Sequence, residues 1–332
     1  ARPEGCFGRM RERSPGKDTS TGHWEMMGLV LERQFPTFSD GFPREVVGEV
    51  VRRAGLPGVL GNVPASGTVI LEQLGEESVA SGKPIVYTSA DSVFQVAAHE
   101  GRFGLERLYE VCRVAREVLD PLGVGRVIAR PFVEAEAGSG PRWRRTYNRR
   151  DWSLEPFGPT ALDRLMAAGV PTMGVGKIED IFAGRGVSEA IHTEGDRDGM
   201  RVTLELARTR SRGLVFVNLV DFDMLYGHRR DPDGYARNLE AFDRELGELR
   251  GALREGDLVI LTADHGNDPT FTRTTDHTRE HVPVLAFGPA LAQGVDLGTR
   301  ESFADVGATL EEAFGLEPKG AGRSFLGEIG GR

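Results

Sequence analysis

Two cysteines, Cys6 and Cys112, are all that 332 residues offer for disulfide chemistry. That excludes a disulfide framework and points to reduced thiols in a cytoplasmic protein. Lysine is scarce too, present only as Lys17, Lys83, Lys177 and Lys319, so arginine carries most of the positive charge. Acidic residues outnumber basic ones, and the net charge of −9 argues against a nucleic-acid-binding surface. No apolar run approaches the roughly 18 residues that a membrane span needs, and no secretory pattern is visible. What remains, 39% apolar and 27% charged, is the composition of a globular protein with room for two domains.

Short Val-, Ile- and Leu-rich runs at 84–87, 127–129, 214–219, 258–261 and 282–287 read as buried strands of a covered, mainly parallel sheet. Helical patterns lie between them. Leu239, Phe242, Leu246, Leu249 and Leu253 recur at helical spacing, and Asp231-Pro232-Asp233 opens that helix. The alternation predicts an α/β fold with the sheet between helices. Residues 36–156 carry their own strands and helices but neither Asp/His cluster. They are expected to form an inserted α/β cap domain, with 1–35 and 157–332 as the core. Ala135 to Pro141, with Gly138 and Gly140, reads as a mobile loop.

Three short polar motifs hold the chemistry. Thr262 to Asp268, with Thr275-Asp276-His277-Thr278 after it, supplies Asp264, His265 and His277. Asp221 to His228 supplies Asp223 and His228, with Asp221 the more structural of its two aspartates. Both motifs leave the C-terminal ends of predicted strands, where open α/β sheets bind ligands. Imidazole with carboxylate suits Mn, Zn or Fe better than Ca. The third motif, Asp18 to Trp24, adds the hydroxyls of Thr19, Ser20 and Thr21. A hydroxyl beside a cation becomes a nucleophile. The same residues also read as a capped helix start, which would favour a phosphoryl group. Together the motifs predict a two-metal phosphoryl-transfer enzyme. Each has a plainer reading. Asp264-His265 alone could be a turn, and Asp223 and His228, five apart, meet only if a loop folds across Gly227.

Arg130, Arg144, Arg145, Arg149, Arg150 and Lys177 are the basic concentration of this acidic chain. Guanidinium forks match phosphate; singly, each also reads as part of a solvated face. Lys177 follows the apolar stretch 170–176 and is expected to point into a cleft. Trp24, Trp143 and Trp152 read as core.

Gly16 to Glu25 closely resembles the phosphothreonine motif of the bacterial phosphopentomutases, in the alkaline phosphatase superfamily. Asn218 to Asp223 with Gly227 to Arg230, Thr262 to Asp268, Thr275 to Glu280, Tyr87 to Ser92 and Ile128 to Phe132 extend the resemblance nearly end to end. It implies an α/β core with two Mn²⁺ ions (Mg²⁺, Co²⁺ or Zn²⁺ as substitutes), an inserted cap, and interconversion of ribose or deoxyribose 1-phosphate and 5-phosphate. A sugar bisphosphate such as glucose 1,6-bisphosphate would be the activator. Thr19 would carry the phosphoryl group. Asp264 and His265 would bind one metal, and Asp223, His228 and His277 the other. Arg130, Arg149 and Lys177 would hold the phosphate that is not reacting, and Asp91 and Ser89 the sugar. The family also has a metal-bridging aspartate after its first core strand. Nothing here matches it, so that strand is expected to be missing from the sequence. The alternatives are a cofactor-independent phosphoglycerate-mutase-like enzyme or metal-dependent phosphatase, and a non-catalytic phosphosugar-binding domain.

Overall fold

A computed structural model describes residues 3–89, 92–135 and 141–330. They fall into two compact units, Ala1–Gln34 with Glu155–Arg332, and Phe35–Leu154. The chain enters the first unit through β1 (Cys6–Met10) and α1 (Thr19–Met26). It then builds the second from α2 (Arg44–Arg53), β2 (Leu60–Pro64), α3 (Gly67–Ser81), β3 (Ile85–Thr88), β4 (Val93–His99), α4 (Leu105–Leu119), β5 (Arg126–Glu134), β6 (Trp143–Arg145) and β7 (Arg150–Ser153). Back in the first unit come α5 (Ala161–Ala167), β8 (Thr172–Val175), α6 (Ile178–Ile181), β9 (Glu189–Ile191) and α7 (Asp196–Thr209). There follow β10 (Leu214–Val217), α8 (Pro232–Ala252), β11 (Val259–Leu261), β12 (Val282–Phe287), β13 (Asp296–Arg300) and α9 (Ala304–Ala313). No described helix is long and apolar enough to cross a membrane.

The unit 35–154 is a mixed sheet, β2-β3-β4-β5-β6, with β7 also on β5. Val47 and Val50 of α2 and Leu108, Val111 and Leu119 of α4 pack with Phe94, Val96 and Val127 of the sheet. Ile70 and Leu71 of α3 pack with Ile85, Tyr87, Phe132 and Trp143 in a second cluster. The Arg-rich stretch forms β6 and β7, whose tryptophans help to seal the cores. Residues 136–140 of the expected mobile loop lie outside the described residues.

The core strands form two sheets. β9, β8 and β10 are all parallel. In the other sheet, β11-β12-β1-β13, β12 runs antiparallel to both neighbours and β1 pairs parallel with β13. β12 alternates buried and exposed residues, so this apolar run is covered on one face only, as an antiparallel strand can be. β10 and β11 are the open ends of the two sheets, and no ladder joins them among the described residues. Side chains around them are tied across the seam between the two sheets. Arg254, before β11, donates to the carbonyls of Arg208 and Arg210 before β10 (2.8 and 2.5 Å). Beyond the strands, Asn267 donates to the Asp223 carboxylate (2.5 Å). Val215, Phe216, Val217, Val259, Ile260 and Leu261 along this seam are only half-buried.

The loop from β1 to α1 is held by two long-range anchors. Arg279 donates to the carbonyls of Pro15 (3.1 Å), Gly16 (2.6 Å) and Ser14. Glu25, fully buried on α1, accepts from the backbone N–H of Arg13 and Ser14 and, across the core, from Ser302 Oγ and the N–H of Phe303. Glu12 is buried beside them, 3.4 Å from Arg279, with its Oε1 unpartnered. Burial pushes its carboxyl up to about 8; Arg279 pulls back and the Glu25 charge pushes further. A folded-state value above the unfolded one means that the native protein binds this proton more tightly. Stability is then full below about pH 4.5 and declines as pH rises to about 8. Glu12→Gln should remove that slope and stabilise the protein at pH 8 by roughly 2 kcal/mol. Urea unfolding at pH 5 and pH 8 checks this; parallel losses in both proteins would show that Glu12 titrates normally.

Candidate active site

β10 and β11 deliver the two Asp/His motifs to one end of the core. After β10 the backbone makes a wide π-type turn, Phe222–Gly227, in which the His228 N–H donates to the Asp223 carbonyl (2.9 Å). A five-residue hydrogen bond is what closes the Asp223–His228 spacing, which neither an α-helix nor a strand would bring together. Gly227 permits the fit, since a Cβ there would lie 2.5 Å from the Asn267 amide.

Asp223, His228 and His277 offer donor atoms within 4.8 Å of one another. Nε2 of His228 lies 3.1 Å from one Asp223 oxygen and Nε2 of His277 lies 3.3 Å from the other. The tautomers follow from the far nitrogens. Nδ1 of His228 faces the Thr275 carbonyl (2.6 Å) and Nδ1 of His277 faces the Lys17 carbonyl (2.7 Å). A carbonyl only accepts, so both Nδ1 atoms carry the hydrogen and both Nε2 lone pairs point inward. Those two Nε2 atoms are 3.2 Å apart. Two lone pairs and a carboxylate converging this closely repel unless a proton or a cation lies among them, so the donor set fits a divalent transition metal. Burial pushes Asp223 up, yet His228 and His277, once protonated at Nε2, donate to the carboxylate and hold it far below its usual range. Burial lowers His277, but Asp223 raises it more.

Asp264 and His265 follow β11. The Asp264 Oδ2 lies 3.5 Å from His265 Nε2 and 3.2 Å from His23 Nδ1. Burial raises Asp264, and the charges of His265 and His23 bring it down to about 2. His265 stacks on His277 with ring centroids 3.7 Å apart, so the two motifs form one cluster. His23 was not singled out in the sequence. Its Nδ1–H donates to the Thr19 carbonyl (2.8 Å), which makes it an orienting group between Thr19 and Asp264.

Thr19 opens α1, half-buried, and Asp18 caps it by accepting from Thr21 N–H (3.0 Å) and Thr21 Oγ1 (2.5 Å). The helix start is pinned to both ligand sets. On one side Lys17 Nζ donates to the His277 carbonyl (2.6 Å) and pairs with Asp276 (2.7 Å). On the other, Gly22 lies against the Asp264 carbonyl, where a Cβ would sit 1.7 Å from that oxygen. Arg230, also missed in the sequence, ties the loops together. It donates to the carbonyls of Gly227, Asp268, Thr274 and Asp276 and to the Asn267 side chain. Asp221 exchanges hydrogen bonds with Asp196 (2.9 and 2.8 Å) and braces the strand end.

Lys177 is exposed at the N-terminus of the short helix after β8. In the other unit, Ser89, Arg130 and Arg149 line one cavity of about 250 Å³. Asp91 lies outside the described residues.

The sequence profile of the Metalloenzyme superfamily matches residues 135–318. The chain is 59% identical, over 98% of its length, to the phosphopentomutase of Anaeromyxobacter sp. (strain K), of which it covers 82%. It is 54% identical, over 98% of its length, to that of Caldanaerobacter subterraneus subsp. tengcongensis, of which it covers 81%. A solved Pyrococcus horikoshii protein shares the fold at 16% identity, with a TM-score of 0.50 over 96% of this chain and 89% of that one. With the identity nearly end to end and the Asp/His cluster assembled around the head of α1, the chain belongs to the phosphopentomutase family.

Proposed function

We propose that this chain is a cytoplasmic phosphomutase that interconverts ribose or deoxyribose 1-phosphate and 5-phosphate through a phosphothreonine at Thr19. One observation carries the mechanism: the head of α1 is tied to His277 through Lys17 and to Asp264 through His23. Those ties support Thr19 as the nucleophilic hydroxyl. Asp223, His228 and His277 would hold one cation and Asp264 with His265 a second, Mn²⁺ being the expected ion. Such ions lower a hydroxyl's pKa and neutralise charge on a transferring phosphoryl group.

Phosphorylated Thr19 gives its phosphoryl group to the free hydroxyl of the pentose phosphate. The P–O bond to threonine breaks as the bond to sugar oxygen forms, and the sugar's proton is lost. The resulting bisphosphate turns over and returns its other phosphoryl group to Thr19. The start of α1 favours this group, because its first N–H groups and the helix dipole face negative charge. A sugar bisphosphate such as glucose 1,6-bisphosphate primes the cycle. Arg130 and Arg149 take the phosphate that is not reacting, Ser89 and Asp91 meet the sugar, and Lys177 is the core's own contribution to substrate binding.

³¹P NMR of the chain with ribose 5-phosphate, Mn²⁺ and a trace of glucose 1,6-bisphosphate tests this. Appearance of ribose 1-phosphate is expected. Release of inorganic phosphate alone would replace the mutase by a phosphatase.

A further inference from the structure

The cavity in the unit 35–154 holds more positive charge than the residues assigned to it account for. Four arginines line its 250 Å³: Arg126, Arg130, Arg145 and Arg149. Arg149 is paired with Asp151 at 2.7 and 2.6 Å. Among the described residues Arg130 donates to a neutral group, the Gln95 carbonyl oxygen (3.0 Å). Arg145 donates to the Tyr87 hydroxyl (3.0 Å), while its buried Nε has no partner. Burial, and then the charges of Arg149 and Arg145, lower the Arg130 pKa, so these cations feel one another.

The head of α3 adds to the imbalance. Ser66 stands at its N-cap, but its side chain accepts no capping hydrogen bond; its hydroxyl turns to Thr68 (3.1 Å) instead. Gly67, the first helical residue, lies against Arg145. A Cβ there would meet the guanidinium at 1.2 Å. A cation is thus packed on the positive end of a 15-residue helix, and among the described residues neither group is neutralised by a carboxylate. That arrangement is unfavourable by itself and becomes favourable once an anion bridges the two.

We propose that Arg145, together with the uncapped start of α3, is a positioning element for the phosphate monoester that stays on the pentose, and that this unit grips that phosphate without any metal. The inference rests on the mutase reading and adds to Arg130 and Arg149 a third guanidinium, whose fork reaches the anion from the helix side. Tyr87 fixes the fork by accepting from it (3.0 Å).

The test is calorimetric titration of the full chain, stripped of metal with chelator, with ribose 5-phosphate, inorganic phosphate and ribose. Ribose 5-phosphate and phosphate should bind and ribose should not. Arg145→Leu should weaken both phosphate ligands by roughly 10- to 100-fold. Arg145→Lys keeps the charge without the fork and should fall between. With metal restored, KM should rise by a similar factor while kcat changes by less than about threefold. Equal affinity in wild type and both variants would overturn the role of Arg145, and so would binding of ribose as tight as that of its phosphate. The wild-type ³¹P experiment decides the mutase reading separately, so either can fail alone. Should Arg145→Leu not fold, the lysine variant and the three wild-type titrations still decide.

Discussion

Thr19→Ala is expected to abolish mutase turnover, a loss of roughly 10⁴-fold or more, as removal of a covalent nucleophile brings in hydrolases. The reason lies in what the substitution leaves intact. Asp18 still caps α1 through Thr21, His23 still receives the carbonyl of residue 19, and Lys17 still holds His277. Alanine is also a strong helix former in the first turn. Fold and Mn²⁺ stoichiometry should therefore match the wild type, while radiolabel from a sugar bisphosphate should no longer reach the protein. Thr19→Ser keeps the hydroxyl and should retain part of the activity. Turnover surviving in the alanine variant would end the covalent mechanism and leave a direct transfer between sugars.

The second large effect is on stability. Glu25→Ala removes a buried acceptor of four hydrogen bonds and strands the N–H groups of Arg13, Ser14 and Phe303. Each buried donor left unpaired costs about 1–3 kcal/mol, so the sum is on the order of 5 kcal/mol. That is a large part of the 5–15 kcal/mol of an ordinary domain. Glu25→Gln should cost less but still much, because its amide nitrogen would face at least one donor, the Ser14 N–H at the Oε2 position, or three at the Oε1 position. Urea unfolding measures both. A loss below about 1 kcal/mol for Glu25→Ala would mean that water replaces the carboxylate and that the loop before α1 is not anchored there.

Some of this was legible before any coordinates. Asp223, Asp264 and His265 were placed by one local rule, an apolar run followed by an Asp/His motif, and the strands ending at Val217 and Leu261 obey it. The helix of Leu239 and Phe242 was equally clear from its spacing and from Asp231, which accepts from Gly234 N–H (2.8 Å). The parts that stayed hidden depend on partners far along the chain. Glu25 meets Ser302, Lys17 meets His277, and Arg230 meets Thr274, at separations that no periodicity encodes. β12 looked covered because its composition is apolar, but its neighbours decide how many faces are buried. Arg145 was one arginine among several until Gly67 and Tyr87 gave it a place.

The seam between β10 and β11 has one more consequence. Asp223 and His228 hang from the β10 side and His277 from the β11 side, while the strands themselves share no ladder. A cation drawn to those three side chains works as a rivet through two plates. Its binding would then add to the core's resistance to unfolding, by an amount set by its affinity and free concentration.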